Sequence, residues 1–414
     1  MIFTALHRLL GRGPGPITED LLDAAVAAHL PESDDLEWKS ELPPTKGLAE
    51  HDFPKDVAAL ANSGGGLIVY GVEEQEKKAT GRKDTGELDE NHERTLRAAA
   101  WSAITPPVFG LAIHRIGEAG NRAVAVEVPA STEGPHLLFK NKFFGAPIRN
   151  DADTEWMKER QIEAAYRDRL LGRRQAAEDL TVLYEEAATN WLGRDAFWLV
   201  AVARPRLQVV GMEPPSREDA VRIFNEARQL GRVYDGGPTH PIGAMEWTNP
   251  RPGLRRWVAA SSTSPGLAWR AAWGSIHFDG SVSVATQIGG HRISANEVAG
   301  PNIVSARAIE SAVADLMGLI RSASEHFGAA EYSARVGIES SYSAQLIIQT
   351  VDQHGWTCDD TSTPLRKFFP VSVSVHADAP ADDYVWQVHD LAKDCINQGG
   401  VVEVSGISPP PRDS

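Results

Sequence analysis

Cysteine is nearly absent from this chain: two residues, Cys358 and Cys395, occur among 414, far apart and without Cys-x-x-Cys spacing. That excludes a disulfide framework and a thiolate zinc site, and a reducing cytoplasm is the compartment that fits. No apolar run approaches the roughly 18 residues that a membrane span needs, so no membrane partner is expected. The apolar opening is interrupted by His7, Arg8 and Arg12 before a signal-peptide core can form, which argues against export. Positive charge is scarce too: 41 Lys and Arg stand against 56 Asp and Glu, for a net charge of −15. Any contact with nucleic acid must therefore come from a focused basic patch. Neither a Gly-x-Ser-x-Gly elbow nor a His-Glu-x-x-His pattern occurs, which removes the serine-hydrolase and zincin readings.

What is present is enough apolar residue, 42% of the chain, for two or three cores. After a flexible lead (1–14), "ITEDLLDAAVAAHL" has helical spacing behind Thr18 as N-cap. "LEWKSEL" reads as a strand, "FPKDVAALANS" as a helix and "GLIVYGV" as a buried strand. The polar stretch "KKATGRKDTGELDENH" reads as loop, then a helix up to Pro106, two strands joined by "GEAGN", and a short strand at "FFGAPIR". A long charged helix, broken or bent near Gly172, follows. The order is that of a mixed α/β (α+β) domain over 15–175. A second α/β domain is expected over 176–405, with Asp279-Gly280 as a hairpin turn, a core helix carrying Ile309, Val313, Leu316 and Ile320, and a disordered tail over 406–414.

Gly64, Gly65 and Gly66 stand where a phosphate loop would tempt a reader. A Walker loop runs from strand into helix with a Lys in register, whereas this run leaves a helix and enters a strand, so a glycine cap and tight turn is the plainer reading. The carboxylates around it say more. Glu37 and Lys39, two apart on a strand, project from one face with Trp38 behind them. Acid-x-Lys is an arrangement that Mg²⁺- or Mn²⁺-dependent nucleases use, the acid holding the metal and the amine offsetting phosphate charge. A solvated strand face is the commoner source of such a pair. Glu73 and Glu74 follow the buried strand, and three acids converge if the two strands are neighbours.

Lys140, Lys142 and Arg149 form one candidate phosphate patch; Arg167, Arg169, Arg173 and Arg174 form another. Arg149 suits either a phosphate or a carboxylate such as Asp151 or Glu155. Asn62 either caps its helix or donates to a ligand, and Trp269 and Trp273 beside Arg270 either pack or stack on bases.

Taken in order, these blocks resemble the Schlafen AlbA-2 family. Glu32 and Glu37-Trp38-Lys39 match its Glu-x4-Glu-aromatic-Lys pattern, "ALANSGGG" its central block and "LIVYGVEE" the strand after it. "FFGAPIRNDADTEWMKERQIEAAYRDR" matches its late block, so that the resemblance spans about residues 15–170 and no family is evident beyond it. It implies an α/β nucleic-acid-binding domain. In vertebrate Schlafen proteins the similar domain is a metal-dependent endoribonuclease cutting tRNA and rRNA with two Glu and one Asp. Carried over, the catalytic set is Glu32, Glu37, Lys39 and either Glu73 or Glu74. The metal set is Glu32, Glu37 and Glu73, while the residues' own charge and position, apart from the resemblance, offer Lys140, Lys142, Arg149 and Asn62 for nucleic acid. Glu in place of Asp at the third acid departs from the pattern. Those nucleases also line their groove with two related lobes, so one copy implies a homodimer or a wall from the C-terminal half. Three functions stay open: binding of RNA or DNA without catalysis, including DNA-binding regulation; Mg²⁺- or Mn²⁺-dependent cleavage, suited to bacterial phage defence; and ATP or nucleotide binding.

Overall fold

The computed structural model describes residues 3–140, 143–189, 196–207, 213–237, 240–261, 271–290, 299–340, 343–351, 357–358 and 362–411. The chain divides into two compact units, Met1–Arg174 and Gln175–Ser414. Among the described residues no helix is long and apolar enough to cross a membrane.

The N-terminal unit runs α1 (Ala5–Leu9), α2 (Glu19–Ala27), β1 (Leu36–Lys39), α3 (Asp52–Asn62), β2 (Gly66–Tyr70), β3 (Val72–Gln75), β4 (Lys78–Arg82) and α4 (Glu90–Ser102). It continues with β5 (Ile104–Thr105), β6 (Ala112–Ile116), β7 (Ala123–Val128), β8 (Leu137–Lys140), β9 (Phe143–Gly145), β10 (Pro147–Asn150), β11 (Asp153–Trp156) and the first part of α5 (Glu159–Thr189), whose residues from Gln175 on belong to the C-terminal unit. The central sheet has the order β1-β2-β7-β6. β1 and β2 are parallel, which requires a crossover, and α3 supplies it. Alternation then sorts the side chains into two cores. Ile68, Tyr70, Val124 and Val126 face α3 and α4, while Leu67, Val69, Trp38 and Ala125 face α1 and α2. Thr18 caps α2 by accepting from Leu21 N at 3.3 Å.

Several local expectations change. The opening segment is helical at Ala5–Leu9 and Leu6 is fully buried, because α1 helps close the second core. Part of the supposed loop is the β3–β4 hairpin, whose Val72 and Ala79 pack in that core. α5 is unbroken through Gly172. One glycine costs an exposed helix only about 1 kcal/mol, too little to end one with so many helix formers on either side.

In the C-terminal unit, β12 (Trp198–Pro205) is followed by α6 (Arg217–Tyr234), α7 (Pro241–Ala244), β13 (Arg251–Gly253), β14 (Arg256–Ala260), β15 (Ala272–His277) and β16 (Val282–Gln287). Then come β17 (Ile303–Ser305), α8 (Ala306–Phe327), β18 (Glu331–Glu339), β19 (Ile347–Val351), β20 (Thr357–Cys358), β21 (Val371–His376) and α9 (Ala381–Asn397). A seven-stranded antiparallel sheet, β13-β14-β15-β16-β12-β18-β21, carries the unit. Leu199, Ala201 and Ala203 of β12 face the core shared with α6, α8 and α9, and Trp198, Val200 and Val202 face Leu180, Tyr184 and Ala188 of α5. α6 was not read from the sequence, although Ser216 and Asp219 form a capping box at its start. Gly406 and Ile407 of the expected tail are packed: Gly406 N donates to Glu310 Oε2 at 2.7 Å and Ile407 is buried.

Candidate functional site

The site grows out of β1. With Trp38 and Leu36 committed to the α1/α2 core, Glu37 and Lys39 must face the other side, toward α3. That side is covered rather than solvated, so both charges need partners. Glu37 Oε1 accepts from Lys39 Nζ at 2.5 Å, and Glu37 Oε2 accepts from Arg149 Nη1 at 2.6 Å. Arg149 comes from β10; its side chain is 2% exposed, and it also donates to Ser33 O at 3.2 Å and Thr154 Oγ1 at 3.3 Å. Its backbone N donates to Ser63 Oγ at 2.8 Å, which ties β10 to the end of α3. The guanidinium thus meets Glu37, not Asp151 or Glu155, and is turned away from solvent phosphates.

Two further acids lie close by. Glu32 Oε1 accepts from Trp38 N at 3.0 Å. Burial first, and the neighbouring Glu37 charge second, push the Glu32 carboxyl up to about 7. Asp56 of α3 was not singled out in the sequence; its Oδ2 lies 3.7 Å from Lys39 Nζ and has no hydrogen-bond partner. Burial raises it to about 6, against the pull of Lys39. A signal existed: Asp56 sits three after Phe53 and four before Leu60, on the apolar stripe of its helix, where an acid is out of place. Burial works against the Lys39 ammonium, but the Asp56 charge and the Glu37 hydrogen bond outweigh it and raise its pKa.

Glu73 and Glu74 are exposed on β3 and diverge. Glu74 acts on Glu32, raising it, whereas Glu73 acts on Lys83. Strand alternation is the reason. Asn62 works inside the fold: its Nδ2 donates to His136 O at 3.0 Å and Pro147 O at 2.8 Å, and its Oδ1 accepts from His136 N at 2.7 Å. Lys140 ends β8, while Lys142, like Trp269 and Arg270, lies outside the described residues. In the second basic group, Arg169 and Arg173 both pair with Glu133, and Arg167 pairs with Glu163.

The glycine run is a turn. Gly65 N donates to Leu60 O at 2.8 Å, closing the end of α3. At φ +90° a side chain there is strained, and a Cβ would meet Ala130 N at 2.6 Å and Val128 O at 2.8 Å.

The arrangement does not fit a divalent ion. Among the described residues no group of three or more His, Cys, Asp or Glu is placed to hold a metal. Both oxygens of Glu37 already face cations, so an ion reaches them only by displacing Lys39 or Arg149. What the cluster does as it stands is hold a proton on Glu32 near neutral pH. From about pH 4.5 to about 7 the unfolded chain gives up that proton before the folded chain does, so stability falls as pH rises through this window and levels off above it. Glu32→Gln is expected to shrink the fall between pH 5 and pH 8 by about 2–3 kcal/mol, as read by urea unfolding at the two pH values. An unchanged pH profile refutes this assignment.

Two solved structures and one family model resemble parts of this chain. The N-terminal domain of a protein related to the ATP-dependent DNA helicase RecG from Nitrosomonas europaea is 21% identical, over 33% of this chain and 89% of that one, with a TM-score of 0.24. The DIP2311 protein from Corynebacterium diphtheriae is 17% identical, over 52% of this chain and 33% of that one, with a TM-score of 0.23. No curated protein matches. Residues 32–158 match the family model described as Schlafen, AlbA_2, a span that holds Glu32, Glu37, Lys39, Asp56 and Arg149 together. The N-terminal unit of this chain carries a Schlafen AlbA_2 domain.

Proposed function

We propose that the N-terminal unit binds nucleic acid without cutting it. The observation that carries the reading is the Schlafen AlbA_2 match over residues 32–158, since resemblance to that family implies a nucleic-acid-binding domain. The state of Glu37 favours binding over cleavage: a carboxylate clamped between Lys39 and Arg149 is a brace for the fold. With Arg149 and Asn62 turned inward, phosphate contacts fall to exposed cations such as Lys158 and Arg160 at the start of α5. Each such contact contributes about 0.7–0.9 to the salt slope of binding.

The test is a titration of the full chain with labelled single-stranded RNA, tRNA and duplex DNA at several salt concentrations, beside incubation of tRNA with Mn²⁺. Binding that weakens with salt, with a smaller slope in Lys158→Ala and Arg160→Ala, is expected. No binding to any nucleic acid at low salt, together with ATP uptake by calorimetry, overturns the reading in favour of a nucleotide. Mn²⁺-dependent cleavage that disappears in Glu37→Gln overturns the non-catalytic part alone and restores a Glu32, Glu37 and Glu74 endonuclease with Mg²⁺ or Mn²⁺.

A further inference from the structure

The β8–β9 ribbon exposes phenyl rings that the fold makes no use of. Phe139 is 67% exposed, Phe143 79% and Phe144 58%. Burying one such ring contributes about 1.5–3 kcal/mol, so leaving three in water on one short ribbon marks a surface that something else covers. We propose that this ribbon is a stacking platform for unpaired bases, so that the N-terminal unit takes single-stranded nucleic acid. The proposal rests on the binding reading above and adds the chemistry of the contact.

The register sets the geometry. Phe139 stands opposite Phe144, and their ring centroids are 5.8 Å apart at 33°, which leaves an outer π face free on each. Phe143 stands opposite Lys140, so it belongs to the other face of the ribbon. Gly145, two residues on, shares the face of Phe143, and a Cβ at Gly145 would lie 2.6 Å from the ring of Trp156, itself half exposed. Aromatic surface therefore lies on both sides of the ribbon. A flat protein partner covers one side only, whereas a single strand places bases on either side because each nucleotide turns independently. In a duplex the base faces are already occupied by their neighbours, so these rings reach unpaired bases alone.

Charge selects the same partner. The chain carries 56 acidic residues, yet the stretch 134–150, which holds Phe139, Phe143 and Phe144, contains none, and the next acids, Asp151, Asp153 and Glu155, lie beyond it on the way to Trp156. An acid-free aromatic segment in a chain of net charge −15 is suited to a polyanion with π faces.

The experiment compares wild type with the triple variant Phe139→Ala, Phe143→Ala, Phe144→Ala by fluorescence anisotropy, using a labelled single-stranded 12-mer and its duplex. Because the three side chains are exposed, the variant keeps the circular dichroism and melting temperature of wild type. The expected result is a loss of single-strand affinity of at least about tenfold, with duplex affinity and salt slope unchanged, since each stacked base is worth about 1–3 kcal/mol. Triple replacement by Trp restores the affinity, and 2-aminopurine in the strand is quenched by wild type only. If wild type binds nucleic acid and the alanine variant binds the single strand equally well, or loses duplex binding to the same extent, the platform is overturned and the binding reading stands. If the substitutions abolish binding to anionic vesicles or self-association in sedimentation, and leave single-strand affinity intact, the ribbon serves a membrane or a second copy and the proposal falls. If wild type binds no nucleic acid, both readings fall together.

Discussion

Replacing Arg149 by alanine is expected to destabilise the N-terminal unit by about 3–5 kcal/mol, because it strands a charged Glu37 in a covered site. Glu37 is 9% exposed at the side chain, and without Arg149 its Oε2 loses its cation. Lys39 holds Oε1 only, and it is shared with Asp56. The same substitution also removes the donors to Ser33 O and Thr154 Oγ1, which loosens the segment before β1 from the β10–β11 ribbon. Urea unfolding of the full chain, followed by hydrogen exchange at amides of β1 and β10, measures the loss. The paired replacement Glu37→Met with Arg149→Met is expected to recover most of it, since two apolar groups of similar length leave no charge unpaired. A loss under about 1 kcal/mol for Arg149→Ala would show that water reaches Glu37 and that the pair behaves as an exposed one.

The second large effect belongs to the C-terminal unit. Asp315 of α8 is fully buried, its Oδ1 meets His240 Nδ1 at 2.7 Å and its Oδ2 accepts from Ile242 N at 2.7 Å. His240 Nε2 faces the carbonyl of Asp235 at 2.9 Å, and a carbonyl only accepts, so Nε2 carries a proton and a second proton lies between Nδ1 and the carboxylate. Burial works against the imidazolium, but Asp315 outweighs it and raises the His240 pKa. Asp315→Ala is expected to lower stability by about 3–5 kcal/mol, leaving a buried imidazole and a buried amide without their acceptor. The pH dependence supplies the control. A raised histidine contributes stability that is complete below its unfolded pKa and disappears as pH rises through the folded one. Wild type should therefore lose stability on the alkaline side of the ordinary histidine range, and Asp315→Ala should lose that dependence. Equal pH profiles in the two proteins would place the proton elsewhere.

Much of the N-terminal unit was legible because local signals agreed. Thr18 before an apolar stripe, the alternation of Leu36, Glu37, Trp38 and Lys39, and a glycine run closing one helix before a strand each point to one local structure. Where they conflicted, the reading failed. Lys78–Arg82 is polar and glycine-containing, yet it pairs with β3 because Ala79 fits the core beside Val72. Arg217–Tyr234 is the exception: its capping box and apolar stripe agree, and the local sequence alone carries the signal for that helix.

The sequence by itself determined which residues share a face, since strand and helix periods are properties of the backbone: Glu37 lies with Lys39, Trp38 lies opposite, and Gly65 turns the chain. It also carried the Schlafen AlbA_2 pattern over residues 32–158. Only the tertiary structure decided what those faces meet. Arg149, 112 positions from Glu37, reaches it because β10 is bound to the end of α3, and Asp56 meets Lys39 because α3 crosses over the parallel pair. The same distinction separates Phe139, Phe143 and Phe144 from core phenylalanines. Their composition is that of a buried strand, and their exposure follows from where the ribbon leaves the core that holds Leu138 at its base, a fact of packing that no local pattern encodes.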